Sequence, residues 1–255
     1  MKLSPTERFS FRVESYIKYR PAYPKEIIQY LKTNAGLKSK DVVADFGSGT
    51  GILSKLFLDN GNTVLCVEPN KPMREAAEKL LKDYKNFVSI NGKAESSDIE
   101  NNSVDFIIAG QAFHWFDPVE TRKEFKKIAH PNAKVVLIWN DRDTVNDEFQ
   151  KDYEEILTHL LPEYVEVTHK NISVEMIKEF VSPSQLHIAS FDHFQTFDFD
   201  GLIGRLISSS YCPDENSELY SIIKSELYTI FKKHRINNII KFNYKTMVYW
   251  AEMVE

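Results

Sequence analysis

The 255-residue chain is 42% apolar and 27% charged, which suits a globular protein with a substantial buried core in one large domain. Its net charge of -5 leaves no broad cationic field for a phosphate backbone, which argues against sequence-general binding of duplex DNA and against a nucleic-acid partner. Cys66 and Cys212 have neither metal-ligand spacing nor the density of a disulfide-stapled domain, no run reaches the roughly 18 apolar residues of a membrane helix, and no apolar signal core follows Met1, so a mature cytoplasmic protein without metal or membrane partner is expected.

Ser4-Pro5-Thr6-Glu7 joins a cap, a proline at the first helical position and a glutamate three residues after the cap, so a helix is expected to begin there and to end before Pro21. A second helix, from Pro24 to about Lys32, carries Ile27, Ile28 and Leu31 at helical spacing and stops at Asn34-Ala35-Gly36. From Asp41 to Trp139 the texture alternates. Strands are expected at 42–46, 63–67, 87–90, 104–109 and 135–139, and helices at 52–59, 72–84 and 118–128. Such alternation implies right-handed crossovers and a parallel sheet covered by helices on both faces, the α/β class.

After Asn140 the alternation stops. Helices at about 146–161 and 174–180 precede a strand around 193–197, then come helices at 201–209 and 218–234 and a long last strand at 239–251. No linker or repeat divides these parts, so 1–255 reads as one domain. Within it, 1–36 are N-terminal helices, 37–140 a cofactor-binding core, 141–185 a helical insertion over the sheet's carboxyl edge, and 186–255 the strands and helices that complete the sheet.

The segment Val42-Val43-Ala44-Asp45-Phe46-Gly47-Ser48-Gly49-Thr50-Gly51 is a buried strand entering a glycine-rich turn and then a helix. Glycines let a ligand approach the backbone, and the helix start offers unpaired N–H groups. Glu68 ends the next strand, where an acid can accept from both hydroxyls of a ribose. Asp45 separates two cofactor classes: a carboxylate beside the turn repels a pyrophosphate but suits an ammonium group. S-adenosylmethionine carries such a group, and a nicotinamide dinucleotide is the second reading.

Asp45 through Gly51, then Val67-Glu68-Pro69-Asn70, then Gly92-Lys93-Ala94-Glu95, then Gln111-Ala112-Phe113-His114-Trp115-Phe116-Asp117 resemble the successive motifs of class I S-adenosylmethionine-dependent methyltransferases. Tyr16-x-x-x-Arg20-Pro21-x-Tyr23-Pro24 and Ser208-x-Ser210-Tyr211 resemble flanking segments of the small-molecule branch that includes trans-aconitate methyltransferases. The resemblance implies a Rossmann-like, seven-stranded, mostly parallel sheet with an antiparallel last strand and a helical cap inserted after the fifth strand. It also implies roles for residues. Gly47, Gly49 and Gly51 would cradle the methionine moiety of the cofactor, Asp45 would support its ammonium group, and Glu68 would bind the ribose. Asn70 and Met73 would line the adenosine pocket, Ala94 and Glu95 would meet the adenine, and the backbone near Gln111 would contact the amino-acid end. Arg20 is the choice for the cofactor carboxylate, with Tyr16 one helical turn earlier.

His114 follows the fourth strand, where acceptor would meet cofactor, and reads as a general base or as a structural histidine. Trp115 reads as core or as a wall of the acceptor site, and Arg205, Ser210, Tyr211 and Tyr244 are the candidate acceptor contacts. The expected activity is methyl transfer to a small molecule, a carboxylate being the acceptor that the closer resemblance suggests. The rivals are an NAD(P)-dependent oxidoreductase, a nucleic-acid methyltransferase and a cofactor-binding protein without catalytic activity. Monomer and homodimer both remain open.

Overall fold

The structure is a computed structural model, and it describes residues 12–167 and 172–253. The helix start expected at Ser4-Pro5-Thr6-Glu7 lies outside them. In chain order the elements are α1 (Val13–Tyr19), α2 (Glu26–Asn34), β1 (Val42–Phe46), α3 (Ile52–Asp59), β2 (Thr63–Val67), α4 (Lys71–Leu81), β3 (Phe87–Ile90), β4 (Val104–Gly110), α5 (Pro118–Ile128) and β5 (Ala129–Arg142). Then follow α6 (Glu148–Leu160), α7 (Pro162–Val167), α8 (Val174–Val181), β6 (His187–Phe197), α9 (Phe199–Ile207), α10 (Glu218–His234) and β7 (Ile240–Glu252).

The strands form one seven-stranded sheet in the order β3-β2-β1-β4-β5-β7-β6. Neighbours from β3 to β5 pair in parallel, and β7 runs antiparallel to both β5 and β6. This is the expected Rossmann-like class. Successive side chains of a strand point to opposite faces, so β1 feeds two cores at once. Ala44 and Phe46 join Ile107, Leu137 and Phe125 on one face, while Val43 joins Ile108, Val136, Leu31 of α2 and Phe57 of α3 on the other. The order of connection reverses between β1 and β4, which opens a crevice at the carboxyl ends of those strands, the place where ligands settle in open α/β sheets.

A third cluster packs Tyr153 and Leu157 of α6, Leu202 and Leu206 of α9, and Leu227 and Phe231 of α10 against Phe242 and Tyr244 of β7. The segment after β5 therefore divides. Its α6 joins α9 and α10, whereas α8 turns to α5, where the Phe180 ring lies 4.7 Å from Phe113 and 6.0 Å from Phe125.

Several bounds differ from the sequence expectation. The strand expected at 135–139 runs from Ala129 to Arg142 because it pairs with β4 on one side and with the long β7 on the other. The strand expected around 193–197 begins at His187, at the sheet's edge. The helix expected at 201–209 starts earlier, where the Asp198 carboxylate accepts from Gly201 N at 2.8 Å and caps α9. α7 and a single 3-10 turn at Phe113–Trp115 are additional. No helix among the described residues is long and apolar enough to cross a membrane.

Candidate active site

β1 delivers its chain into a tight bend. Gly47 N and Ser48 N both donate to Val67 O of β2, at 2.9 and 3.2 Å, and Gly51 N closes the turn on Ser48 O at 2.9 Å. Gly47 has φ +65°, and a Cβ there would sit 2.7 Å from Ala112 Cβ. Only glycine meets both conditions without strain.

Asp45, next to last in β1, is 1% exposed. Its Oδ2 accepts a 2.6 Å hydrogen bond from Ser54 Oγ of α3, and its Oδ1 has no hydrogen-bond partner among the described residues. Burial pushes its pKa up to about 7; the Ser54 hydrogen bond works against this and the nearby Glu68 charge adds to it. Ser48 Oγ beside it is also buried without a partner. Buried polar atoms are normally satisfied, so two orphans on one wall mark a place built to receive something.

They face a pocket above the carboxyl ends of β1, β4 and β5, floored by Asp45, Gly47, Ser48, Gly110, Gln111 and Asn140. Tyr16 of α1 and Arg20 just beyond it form one wall, and His114 and Trp115 of the 3-10 turn another. The remaining wall is Arg142 at the end of β5, Tyr164 of α7, Arg205 of α9, and Ser210 and Tyr211 after it. Gln111 holds φ +57°, a strained value for a non-glycine residue, and its N–H donates to Ile138 O at 2.9 Å.

Three guanidinium groups meet here. Arg20 donates twice to Ser208 O, from Nε at 3.1 Å and from Nη2 at 2.8 Å, and stacks over the Tyr16 ring. Arg205 donates to Tyr244 Oη at 3.2 Å and Ser209 Oγ at 3.1 Å. Arg142 pairs with Glu154 and also donates to Tyr164 Oη. Arg20 and Arg205 are thus held by neutral oxygens. Burial alone would raise the Tyr211 pKa, but the charges of Arg142, Arg205 and Arg20, with a hydrogen bond from Ser209, bring it below the ordinary phenol value. The wall is a field of positive charge in a shielded place.

The expected cofactor residues fall into two groups. Tyr16, Arg20, Asp45, Gly47 and Gln111 line the pocket together. Gly49, Gly51, Glu68, Asn70, Met73, Ala94 and Glu95 are not among the lining residues. Glu68 Oε2 accepts from Gly49 N and Oε1 from Asn70 N, each at 2.8 Å, so the carboxylate that was expected to grip a ribose also clamps the turn. Asn70 caps α4 by accepting from Met73 N at 3.0 Å, and the Met73 methyl would lie 3.5 Å from a Cβ on Gly49. Glu95 accepts from Asp117 N at 2.9 Å, and Ala94 is buried in the core. Of the expected acceptor contacts, Trp115, Arg205, Ser210 and Tyr211 reach the pocket. Tyr244 does not: its hydroxyl lies between Arg205 Nε and Gln195 Oε1, one layer behind. Sequence reasoning missed Ser48, Tyr23, Asn140, Arg142 and Tyr164, all in the lining.

A family model described as a methyltransferase domain matches residues 44–137, from within β1 to within β5. That stretch of the chain is therefore similar to a methyltransferase domain. An uncharacterized methyltransferase of Mycobacterium tuberculosis is 33% identical over 135 residues, 53% of each chain, so this chain spans about half the length of that relative. An uncharacterized methyltransferase of Schizosaccharomyces pombe is 24% identical over 247 residues, 96% of this chain and 97% of the relative. Among solved structures, a candidate type II methyltransferase of Anaeromyxobacter dehalogenans superposes with a TM-score of 0.72 at 18% identity, covering 92% of this chain and 99% of its own. A geranyl diphosphate methyltransferase solved in complex with S-adenosylmethionine superposes with a TM-score of 0.51 at 12% identity, covering 90% of this chain and 85% of its own. These structural likenesses extend the methyltransferase-domain fold over nearly the whole chain.

Proposed function

We propose that this chain is an S-adenosylmethionine-dependent methyltransferase whose acceptor is a small molecule bearing an anionic group, with a carboxylate the first candidate. The observation that carries the cofactor half is the unpartnered, buried Oδ1 of Asp45 beside the left-handed Gly47. That atom accepts and never donates while ionised, so it suits an ammonium group and repels a pyrophosphate, which sets the nicotinamide reading aside.

When bound, S-adenosylmethionine supplies an electrophilic methyl group on a sulfonium. The chain's own part is alignment. Asp45 holds the ammonium end, the Gly47 bend lets the backbone come close, and Arg20 takes the opposing carboxylate. Arg142, Arg205 and Tyr211 hold the acceptor's anion across the pocket. Fixing a nucleophile in this way replaces an encounter by a unimolecular step. An ionised carboxylate needs no base; for a phenol, amine or carbon acid, His114 on the pocket wall accepts the proton. The segments that resemble trans-aconitate methyltransferases supply Tyr16, Arg20, Ser210 and Tyr211, all in this lining, which supports the acidic acceptor.

The deciding experiment incubates the protein with methyl-labelled S-adenosylmethionine and panels of di- and tricarboxylic acids, phenols and amines. Label transfer to the acids, weakened in Arg205→Met, is expected. Transfer confined to amines would overturn the anionic acceptor, and transfer to none of the panels would leave only the cofactor half standing.

A further inference from the structure

A second depression lies on the other side of the 3-10 turn. It runs between α5 and α8 and shares one residue, His114, with the pocket above β1. Its floor is apolar: Phe113, Phe116 and Phe180 at the bottom, with Ile172, Met176 and Val119 on its sides. Met176 is 45% exposed and Val119 62%, so two large apolar side chains face solvent across one groove. Isolated exposed apolar residues are ordinary, but here they continue a ring-lined floor.

One rim is cationic. Arg122, Lys123 and Lys126 lie along α5 within the lining, against Glu179 of α8. Lys123 is paired with Glu120 at 2.7 Å. Arg122 donates from Nη2 to Ser182 O, and its buried Nε has no hydrogen-bond partner among the described residues. A buried guanidinium N–H without an acceptor is costly, and an oxyanion at the rim would satisfy it.

We propose that this groove binds a small amphiphilic anion, an aromatic or short-chain carboxylate or sulfonate, its rings or chain on Phe113, Phe116, Phe180 and Met176 and its anionic head between Arg122 and Lys126. The site is separate from the methyl-transfer pocket and independent of the activity assigned to it.

The test uses 8-anilinonaphthalene-1-sulfonate, whose fluorescence rises in an apolar site, and its uncharged relative N-phenyl-1-naphthylamine. Saturable one-to-one binding of the sulfonate is expected, at least fivefold tighter than that of the neutral compound. It should weaken at least fivefold in Lys126→Glu and in Met176→Glu, both surface changes whose folding is checked by the melting temperature. Excess S-adenosylhomocysteine should not displace the sulfonate. Equal affinity for the two probes, unaltered binding in both variants, or displacement by S-adenosylhomocysteine would each overturn the proposal. Should both variants fail to fold, wild-type protein titrated at rising salt decides: affinity for the sulfonate falls if the rim holds its head, and salt-independent binding refutes it.

Discussion

Asp45 gives one carboxylate oxygen to Ser54, 2.6 Å away, and keeps the other turned to the pocket without a partner. Ser54 in turn accepts from Cys66 Sγ at 3.2 Å, so strand β2, helix α3 and strand β1 together fix the direction of the orphan oxygen. The arrangement commits the carboxyl group to one side of the site before any ligand arrives, at the expense of holding it buried.

That expense makes the site sensitive to pH. The Asp45 pKa is raised to about 7 in the folded chain, against an unfolded value of about 3.9. Because the folded state holds this proton more tightly, the contribution to stability is full below the unfolded value and is lost as pH climbs through about 7. An ammonium ligand prefers the ionised form, so S-adenosylhomocysteine should bind more tightly at pH 8 than at pH 6 and release a proton near neutrality. Calorimetry in buffers of different ionisation enthalpy would read that proton. Asp45→Asn should bind weakly at both pH values and release none.

Gly47→Ala combines a left-handed backbone with a 2.7 Å approach to Ala112 Cβ. The backbone term alone costs roughly 1–2 kcal/mol. Urea denaturation should show a loss of at least that size, and S-adenosylhomocysteine should no longer shift the midpoint. A variant as stable as wild type would mean that the bend relaxes freely.

Glu68 clamps the turn and is proposed to grip a ribose, and a variant separates the two roles. Glu68→Ala leaves two buried backbone N–H groups, of Gly49 and Asn70, without acceptors, at roughly 1–3 kcal/mol each. A lowered melting temperature in the absence of any ligand is expected. Glu68→Gln keeps an acceptor oxygen and should recover part of that stability, while cofactor affinity, if the ribose contact holds, stays reduced.

The strands from β1 to β4 and helices α3, α5 and α10 were legible because short β-branched runs and amphipathic stretches alternate between glycine and proline boundaries. β6 was only half seen: as an edge strand its residues alternate between half-buried and exposed, so its first residues, from His187 to Asp192, give a weak apolar signal. Arg142 was missed because β5 continues past Trp139, and a charged residue beyond an apolar run reads as loop. Its place at the carboxyl end of a strand was the available clue. Tyr164 had none, since a six-residue helix starting at Pro162 is too short for its periodicity to be recognised. Glu68 was read as a ligand contact although its carboxylate also serves the turn, because sequence shows residue type and not which N–H groups lie within reach.

The arginine wall makes its own prediction. Arg205→Met retains much of the volume beside Phe242 while removing one charge-assisted contact, worth about 2 kcal/mol or near 30-fold. The KM for an acidic acceptor should rise by about that factor, with the affinity for S-adenosylhomocysteine little changed. Steady-state kinetics and cofactor titration on the same sample separate the two effects. An equal loss in both would move Arg205 to the cofactor side.

The claim on which the account rests is that an unpartnered carboxylate beside a glycine bend selects a cofactor with an ammonium group over one with a pyrophosphate. Thermal unfolding with saturating S-adenosylhomocysteine and, separately, with NADH tests it directly, since only a ligand of the folded state raises the melting temperature. A rise with S-adenosylhomocysteine and none with NADH is the expected result. A rise with NADH alone would contradict the claim.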